Sequence, residues 1–99
     1  MPSKKEIDDT LKKHKVVVYS KSYCPYCKNA KKALSDLGIT YEAIELDQKP
    51  DGESTQGILK TMTGASSVPR VFINGKFFGG GDDTVAGAKN GKIMSLLKA

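Results

Sequence analysis

The hydrophobic positions in the central part of the chain predict a strand, a helix and a second strand. The β-branched run Val16–Ser20 is typical of a buried central strand. Apolar residues then recur at helical spacing across residues 27–37, ending at Leu37, with lysines on the opposite face, and Gly38 predicts the end of this helix. Residues 39–46 predict the second strand. This order within about 30 residues predicts a right-handed β-α-β unit with parallel strands.

One helix is predicted before the first strand and another after the second. In the first helix, residues 3–6 match a capping box, and Ile7 and Leu11 form an apolar stripe. The later helix follows a polar turn at residues 48–52 and ends at Gly64. Its predicted inward residues are Ile58, Leu59 and Met62.

The C-terminal part of the chain predicts a β-hairpin and two more helices. Two short strands, Arg70–Ile73 and Lys76–Gly79, are joined by Asn74-Gly75, which is a strong hairpin signal. A helix with Asp82 or Asp83 as its cap follows, and its predicted inward residues are Val85, Ala86 and Ala88. Residues 92–98 predict the last helix. The pattern as a whole predicts an α/β fold with a mixed four-stranded sheet and helices on both faces.

Length and composition narrow the class of the protein. Its 99 residues, 38% of them hydrophobic, fit a single domain that spans residues 1–99. We expect no membrane partner, because no apolar run approaches the roughly 20 residues that cross a bilayer. We expect no nucleic-acid partner, because the chain has one Arg, no Trp and no recognisable binding motif. The N-terminus has no apolar signal-peptide core, so a cytoplasmic location is expected.

The chemistry of the chain is concentrated in Cys24 and Cys27, its only cysteines, which lie where the first strand turns into a helix. Pro25 suits the first helical position, and this makes Cys24 the N-cap. Backbone amides, the helix dipole and Lys21 all stabilise a thiolate there. Cys27 lies one turn later on the apolar face. We therefore predict that Cys24 is the nucleophile and Cys27 the resolving thiol. A stabilised thiolate is also a good leaving group, which favours cycling through a mixed disulfide with a small thiol.

A Cys-x-x-Cys pair also occurs in zinc sites and in structural disulfides. Two cysteines and His14, the only histidine, cannot complete a four-ligand zinc site within one chain, so that interpretation requires a site shared between two chains. His14 is itself expected to follow a helix C-terminus, where a cation is favoured. A disulfide that closes so small a loop stabilises a fold little. The spacing therefore favours redox catalysis.

Over residues 16–97 the chain resembles the glutaredoxin family, of the dithiol type. Four motifs in order carry the resemblance: Cys24-Pro25-Tyr26-Cys27, Ser67-Val68-Pro69, Asn74-Gly75 and the glycine and aspartate run at residues 79–83. The resemblance implies a thioredoxin fold and a glutathione-dependent thiol-disulfide oxidoreductase that reduces protein disulfides and glutathione mixed disulfides. It implies no tightly bound cofactor. Glutathione is the co-substrate, and oxidised or glutathionylated proteins are the other partners of a monomeric enzyme.

The resemblance also implies a set of residues that bind glutathione. Lys21 and Gln56 would bind the glycine carboxylate. Val68, preceding a cis Pro69, would offer backbone hydrogen bonds to the cysteinyl part. Tyr26 would flank the groove. For two of these residues a plain structural role stays open, because Lys21 suits any solvated surface and Pro69 suits the start of a strand.

The γ-glutamyl end of glutathione would be bound by Asp82 and Asp83, with Gly80 allowing close approach of the backbone. Asp82 could instead serve only as a helix cap. The sequence also departs from the family pattern. Ala65-Ser66 stand where many members have a longer polar or basic residue, so one ligand contact would be missing, and Gly81 stands where some members carry an additional Cys.

Two further functions stay open from the sequence. One is a thioredoxin-like donor reduced by a flavoprotein reductase, against which the absence of Trp before Cys24 argues. The other is an iron–sulfur or copper carrier that uses thiolates of two chains. Pro25 argues against it, because a stiffened helix entrance leaves less room for a bridging cluster.

Overall fold

The structure, a computed structural model, describes residues 4–98, so Ser3 of the expected capping box lies outside the described residues. In chain order the elements are α1 (Lys4–Lys13), β1 (Val16–Ser20), α2 (Pro25–Asp36), β2 (Glu42–Glu45), a 3-10 turn (Leu46–Gln48), α3 (Gly52–Thr63), β3 (Arg70–Ile73), β4 (Lys76–Gly79), α4 (Gly81–Lys89) and α5 (Lys92–Lys98). None of the helices within these residues has the length and hydrophobicity to cross a membrane.

The four strands form one mixed sheet in the order β2-β1-β3-β4. Strand β1 pairs in parallel with β2 and antiparallel with β3, and β3 pairs antiparallel with β4. All five residues of β1 are buried, which confirms the predicted central strand. The parallel pair follows from the crossover through α2, because strand, helix and strand can pack back on one sheet only in this way.

The side chains of β1 alternate between two hydrophobic clusters, one on each face of the sheet. The cluster under α1 and α3 comprises Ile7, Leu11, Val17, Tyr19, Leu46, Leu59 and Phe72. The cluster under α2 and α5 comprises Val16, Val18, Leu34, Val71, Ile73 and Ile93. The prediction of helices on both faces is thus confirmed. Burying one such aliphatic side chain contributes about 2 kcal/mol, and this holds each helix on its face.

Strand β2 is shorter than the predicted span of residues 39–46. Only Glu42–Glu45 pairs with β1, whose residues 17–20 supply the partners. In this register β1 extends by only one residue, Val16, beyond the ladder, so residues 39 and 40 have no partner in β1. Leu46 already belongs to the 3-10 turn, although it is buried as expected.

The prediction that Leu37 faces inward is wrong. Its side chain is 39% exposed, because Leu37 is the C-cap of α2 and the helix has already ended. Gly38 follows at φ 73°, a conformation that glycine adopts without steric cost. Gly38 is therefore correctly predicted to end the helix. The last helical residue is Asp36, one residue before the Leu37 that the apolar positions indicated.

The buried face of α4 also differs from the prediction. Thr84 and Gly87 are buried, Ala88 packs partly against the cluster under α2, and Val85 and Ala86 lie nearer the surface. A Cβ on Gly87 would stand 2.6 Å from Cζ of Phe78, so only glycine allows this close contact. A search for apolar periodicity misses a helix face built from a threonine and a glycine.

Candidate active site

Cys24 occupies the N-cap of α2, directly after the loop that follows β1. Its backbone is extended, at φ −87° and ψ 117°, and its Sγ accepts a hydrogen bond from the amide of Cys27 at 3.3 Å. Pro25 is the first residue of the helix, as predicted. The sulfur therefore takes the place that a serine or aspartate oxygen takes in other helices, at the positive end of the helix dipole.

The two thiols are free and have different surroundings. Cys24 retains 9% of its exposure, whereas Cys27 is fully buried. Burial and, to a smaller extent, the hydrogen bond with Cys24 raise the pKa of Cys27, to about 11. Hydrogen bonds with the backbone of Lys21 and the hydroxyl of Ser20 act in the opposite direction. Both thiols are buried, and Cys24 is the less completely buried of the two.

A cis peptide bond joins Val68 and Pro69, as predicted, and the carbonyl of Val68 faces the first cysteine. The Cys24 thiol donates to this carbonyl at 3.8 Å. The backbone of residues 67–69 therefore borders the reactive sulfur. The side chain of Arg70 steadies this segment, because Nε donates to the carbonyl of Pro69 at 3.3 Å and Nη2 donates to Oγ of Ser67 at 3.1 Å.

Sequence reasoning assigned Arg70 only to a strand and missed this role. The guanidinium also lies over the ring of Phe77, 5.0 Å from its centroid. A Cβ on Gly80 would stand 3.2 Å from Nη2 of Arg70. Arg70 thus connects the segment before β3 with the glycines after β4. The available signal was that the sole arginine of the chain directly follows the Ser-Val-Pro motif.

The glycine run packs tightly against the first turn of α2. A Cβ on Gly81 would stand 3.1 Å from Cβ of Tyr26 and 3.2 Å from its carbonyl oxygen. The N-cap of α4 is Gly80, which corrects the prediction that Asp82 or Asp83 is the cap. Asp83 is the third helical residue, and its Oδ2 accepts from the amide of Gly80 at 3.4 Å. An acid at this position reaches back to the cap amide, and the helix dipole stabilises both aspartates in the first turn.

Lys21 and Gln56 line one cavity, of about 420 Å³, between the loop after β1 and the start of α3. The amide nitrogen of Gln56 donates to the carbonyl of Ser66, which ties α3 to the segment before Pro69. The lining includes Asp47, a residue that sequence reasoning missed. Its carboxylate accepts from the amide of Ser22 at 2.9 Å and from the hydroxyl of the same residue. These hydrogen bonds, with the nearby charge of Lys21, lower the pKa of Asp47.

Tyr26 and Asp82 open onto a second cavity, of about 800 Å³, between α2 and α4. The ring of Tyr26 is 61% exposed. The rest of the lining is Asn29, Lys32, Ala33, Asp36, Leu37, Gly81, Val85, Ala86, Ala88 and Lys89. Each cavity is thus lined by two of the predicted site residues, whereas Val68, Pro69, Gly80 and Asp83 line neither. The amide of Cys24 donates to the carbonyl of Lys21 at 3.1 Å, which connects the start of α2 with the loop before it.

Across the described residues 4–98, no group of three or more His, Cys, Asp or Glu side chains is arranged to hold a metal ion. His14 follows the last residue of α1, and its Nε2 lies 3.3 Å from Oε2 of Glu42. The expectation that it follows a helix C-terminus is confirmed.

The glutaredoxin family model matches residues 16–78, which include both cysteines and the cis proline. Glutaredoxin-C6 of Oryza sativa subsp. japonica is 52% identical to the chain over 89 residues, an alignment that covers 90% of this chain and 80% of that protein. The family resemblance seen in the four sequence motifs is thus confirmed over most of the chain.

Two solved structures have the same fold. Oxidized glutaredoxin 2 from Chlamydomonas reinhardtii is 50% identical, with a TM-score of 0.88 over 95% of this chain and 89% of that one. A buckwheat glutaredoxin-glutathione complex is 36% identical, with a TM-score of 0.90 over 98% of this chain and 94% of that one. The thioredoxin fold is thereby confirmed. The chain belongs to the glutaredoxin family and is a glutathione-dependent thiol-disulfide oxidoreductase.

Proposed function

We propose that the chain reduces protein disulfides and glutathione mixed disulfides by a cycle in which Cys24 reacts first and Cys27 acts only when the target requires a second thiol. The observation that carries this proposal is the pairing of an N-cap sulfur with a buried thiol one turn later. A helix N-cap offers backbone amides and the helix dipole to a reacting sulfur, whereas burial raises the pKa of Cys27.

With a glutathione mixed disulfide, the cycle needs one cysteine. The Cys24 thiolate attacks the glutathione sulfur, the bond between glutathione and the target breaks, and the target leaves as a thiolate that takes a proton. Cys24 now carries glutathione in a mixed disulfide. A second glutathione thiolate attacks the bound glutathione sulfur, oxidised glutathione forms, and Cys24 leaves as a thiolate. The N-cap supports this last step, since a stabilised thiolate is a good leaving group.

With a protein disulfide, Cys27 supplies the second thiol. Cys24 attacks one sulfur of the target and releases the other as a thiolate. Cys27 then attacks Sγ of Cys24, which frees the second target thiol and leaves a Cys24–Cys27 disulfide. Two glutathione molecules reduce that disulfide and become oxidised glutathione. The two target sulfurs gain the two electrons that the glutathione sulfurs lose.

We further propose that glutathione lies across Cys24 in an extended conformation. Lys21 and Gln56, which line one cavity, would bind the glycine carboxylate. Val68 would exchange backbone hydrogen bonds with the cysteinyl part, since its carbonyl already faces the Cys24 sulfur. A tightly bound cofactor is not part of this proposal.

At the other end of the ligand, Asp82 and Asp83 would bind the γ-glutamyl ammonium, and Gly80 would leave room for the backbone to approach. Both acids lie in the first turn of α4, where free amides also attract the γ-glutamyl carboxylate. Tyr26, largely exposed beside Gly81, would form the wall of the groove, and the cis Pro69 would hold Val68 in place.

The proposed partners are oxidised and glutathionylated proteins, and we propose that the chain acts as a monomer in the cytoplasm. Two free thiols suit a reducing compartment. Sedimentation of the purified protein tests the monomer, and imaging of a tagged full-length protein tests the location. A visible absorption band after anaerobic purification, accompanied by dimerisation, would favour a cluster-bridged pair of chains instead.

A choice of reductant tests the proposed function directly. Reduction of a glutathione mixed disulfide is followed with glutathione and glutathione reductase, and in parallel with thioredoxin reductase as the sole source of electrons. We expect turnover only in the first case. Turnover that requires thioredoxin reductase would instead identify a thioredoxin-like donor.

A further inference from the structure

Two polar residues interrupt the apolar face of the sheet that lies under α2. Val16, Val18 and Ser20 point to this face in alternation, and the first two belong to the cluster under the helix. Ser20 ends β1 and is fully buried. In the parallel register it pairs with Glu45, the last residue of β2, so the two side chains lie on the same face of the sheet.

The contacts of this pair form a continuous path that starts at the buried thiol. The hydroxyl of Ser20 hydrogen-bonds with Cys27, and it lies 2.7 Å from Oε1 of Glu45, to which it donates. The other oxygen of Glu45 accepts from Nζ of Lys31 at 3.0 Å. Lys31 follows Cys27 by one helical turn, so both project from the same face of α2. The side chains of Lys31 and Glu45 are each 20% exposed, so the path ends at water.

The proposed cycle gives such a path a task. Cys27 reacts only as a thiolate, yet it is fully buried and burial raises its pKa to about 11. The thiol has no exposed surface from which water could take the proton. A base within reach, directly or through one hydroxyl, is what such a group needs in order to react quickly.

We propose that Glu45 takes the proton of Cys27 through the hydroxyl of Ser20 when Cys27 attacks a mixed disulfide on Cys24. This inference rests on the function proposed above. The Cys27 proton passes to Oγ of Ser20, and the hydroxyl proton of Ser20 passes to Oε1 of Glu45. The Cys27 thiolate then bonds to Sγ of Cys24, the bond from Cys24 to the target sulfur breaks, and the target leaves as a thiolate. That thiolate takes a proton from water, and Glu45 releases its proton to water.

Lys31 is the ion-pair partner of Glu45 and takes no part in the transfer. It binds Oε2, whereas the Ser20 hydroxyl binds Oε1. The same ion pair also connects α2 with the edge strand β2. A purely anchoring role therefore predicts that breaking the pair from either end has the same effect, whereas proton transfer requires the carboxylate and not the ammonium.

A stopped-flow reaction with a nitrobenzoate disulfide separates the two cysteines within one trace. Attack by Cys24 releases the first coloured thiolate at a rate proportional to reagent concentration. Attack by Cys27 on the resulting mixed disulfide releases the second at a rate independent of it. Because the leaving group is good, deprotonation of Cys27 limits the second phase. The reaction uses no glutathione, so its outcome is independent of the glutathione-coupled assay that tests the proposed function.

The test substitutes the carboxylate with its amide, Glu45→Gln, which keeps the shape and one hydrogen-bond acceptor. We expect the rate of the second phase, relative to the first, to fall about 100-fold, as for loss of a general base. The wild-type second phase should change little between about pH 7 and 9, whereas that of the variant should rise about tenfold per pH unit, because hydroxide must take the proton. Among ionisable side chains, Cys24 lies against Cys27, and Glu45 with its partner Lys31 lies beyond Ser20.

Two variants control for anchoring and for charge. Glu42→Gln removes a carboxylate from the same strand, where it faces His14, and should leave both phases unchanged. Lys31→Gln breaks the ion pair but keeps the base, and we expect a second phase within about threefold of wild type. If Lys31→Gln slows the second phase as much as Glu45→Gln, or if Glu45→Gln slows it less than tenfold, the proposal is overturned. Should Glu45→Gln fail to fold, Ser20→Ala interrupts the same path and must give the same slowing.

Discussion

Cys24 and Cys27 are three residues apart, yet one borders the surface and the other belongs to the interior. Around Cys24 lie backbone groups of three segments, namely the first turn of α2, the cis Val68–Pro69 bond and the loop that carries Lys21. Around Cys27 lie Ser20 and the sheet. The two side chains differ in depth because Cys24 is the extended N-cap residue, whereas Cys27 lies inside the helix on its buried face.

This difference divides the work between two chemically identical groups. The cap stabilises an anion with hydrogen bonds and the helix dipole, whereas burial favours the neutral thiol. In the proposed cycle the sulfur at the cap attacks and leaves without a separate base. The buried sulfur attacks the adjacent mixed disulfide only after a base has removed its proton.

The largest expected difference is in the alkylation of Cys27. In Cys24→Ser, which keeps a capping side chain, Cys27 should react with iodoacetamide at pH 8 at least roughly tenfold more slowly than free cysteine, because burial, the largest cause of its raised pKa, remains in the variant. Mass spectrometry of timed samples measures the rate. Unfolding the same variant in urea should restore the rate of free cysteine. A folded variant that reacts as fast as free cysteine would remove the distinction between the two sites.

A second expected difference is in the pH dependence of stability. Cys27 ionises near its usual value when unfolded and near pH 11 when folded, so between about pH 9 and 11 only the unfolded chain has lost this proton. Its contribution to the free energy of unfolding is therefore fully present below about pH 9 and falls by roughly 2 kcal/mol as the pH rises to 11. Urea titrations of wild type and Cys27→Ala at both pH values measure it.

The difference between wild type and Cys27→Ala gives the contribution of Cys27 to the pH dependence of stability. Burial also raises the pKa of Tyr19, to about 12, and this contribution is present in both proteins and cancels. We expect the wild type to lose more stability than Cys27→Ala over this range. Equal losses of stability in the two proteins would mean that burial does not raise the pKa of Cys27.

A smaller effect is expected on the surface side of the comparison. Lys21→Ala should raise the KM for glutathione about tenfold, the loss of one hydrogen bond to a charged group, with little change in kcat. Lys28→Ala is the matched control, because Lys28 is an exposed lysine one helical turn beyond Cys24. Steady-state kinetics with varied glutathione distinguish them. Equal KM values for the two variants would return Lys21 to a plain surface role.

Local signals in the sequence predicted the parts of the fold that depend on neighbouring residues. The β-branched run at Val16–Ser20 became the central strand, because such residues favour a fully buried position in a parallel sheet. Pro25 fixed the start of α2 and so made Cys24 the cap. Gly38 and Gly64 ended their helices with positive φ.

Features that depend on packing across the sheet could not be predicted in the same way. The path from Cys27 to Glu45 joins residues from β1, α2 and β2 through a strand register that no local pattern reveals. Arg70 lies over the ring of Phe77 only because β4 pairs back on β3. The buried face of α4 was missed for another reason. The ring of Phe78 leaves room only for glycine at position 87, and hydrophobicity alone does not identify such a position as buried.

The division of labour between the cysteines is tested most directly by steady-state reduction of a glutathione mixed disulfide, with glutathione as reductant, by Cys24→Ser and Cys27→Ser. Cys24→Ser is predicted to show no turnover above the uncatalysed reaction. Cys27→Ser is predicted to keep most of the wild-type rate, because this substrate requires only the capped sulfur. Loss of activity in Cys27→Ser, or turnover by Cys24→Ser, would contradict the assignment.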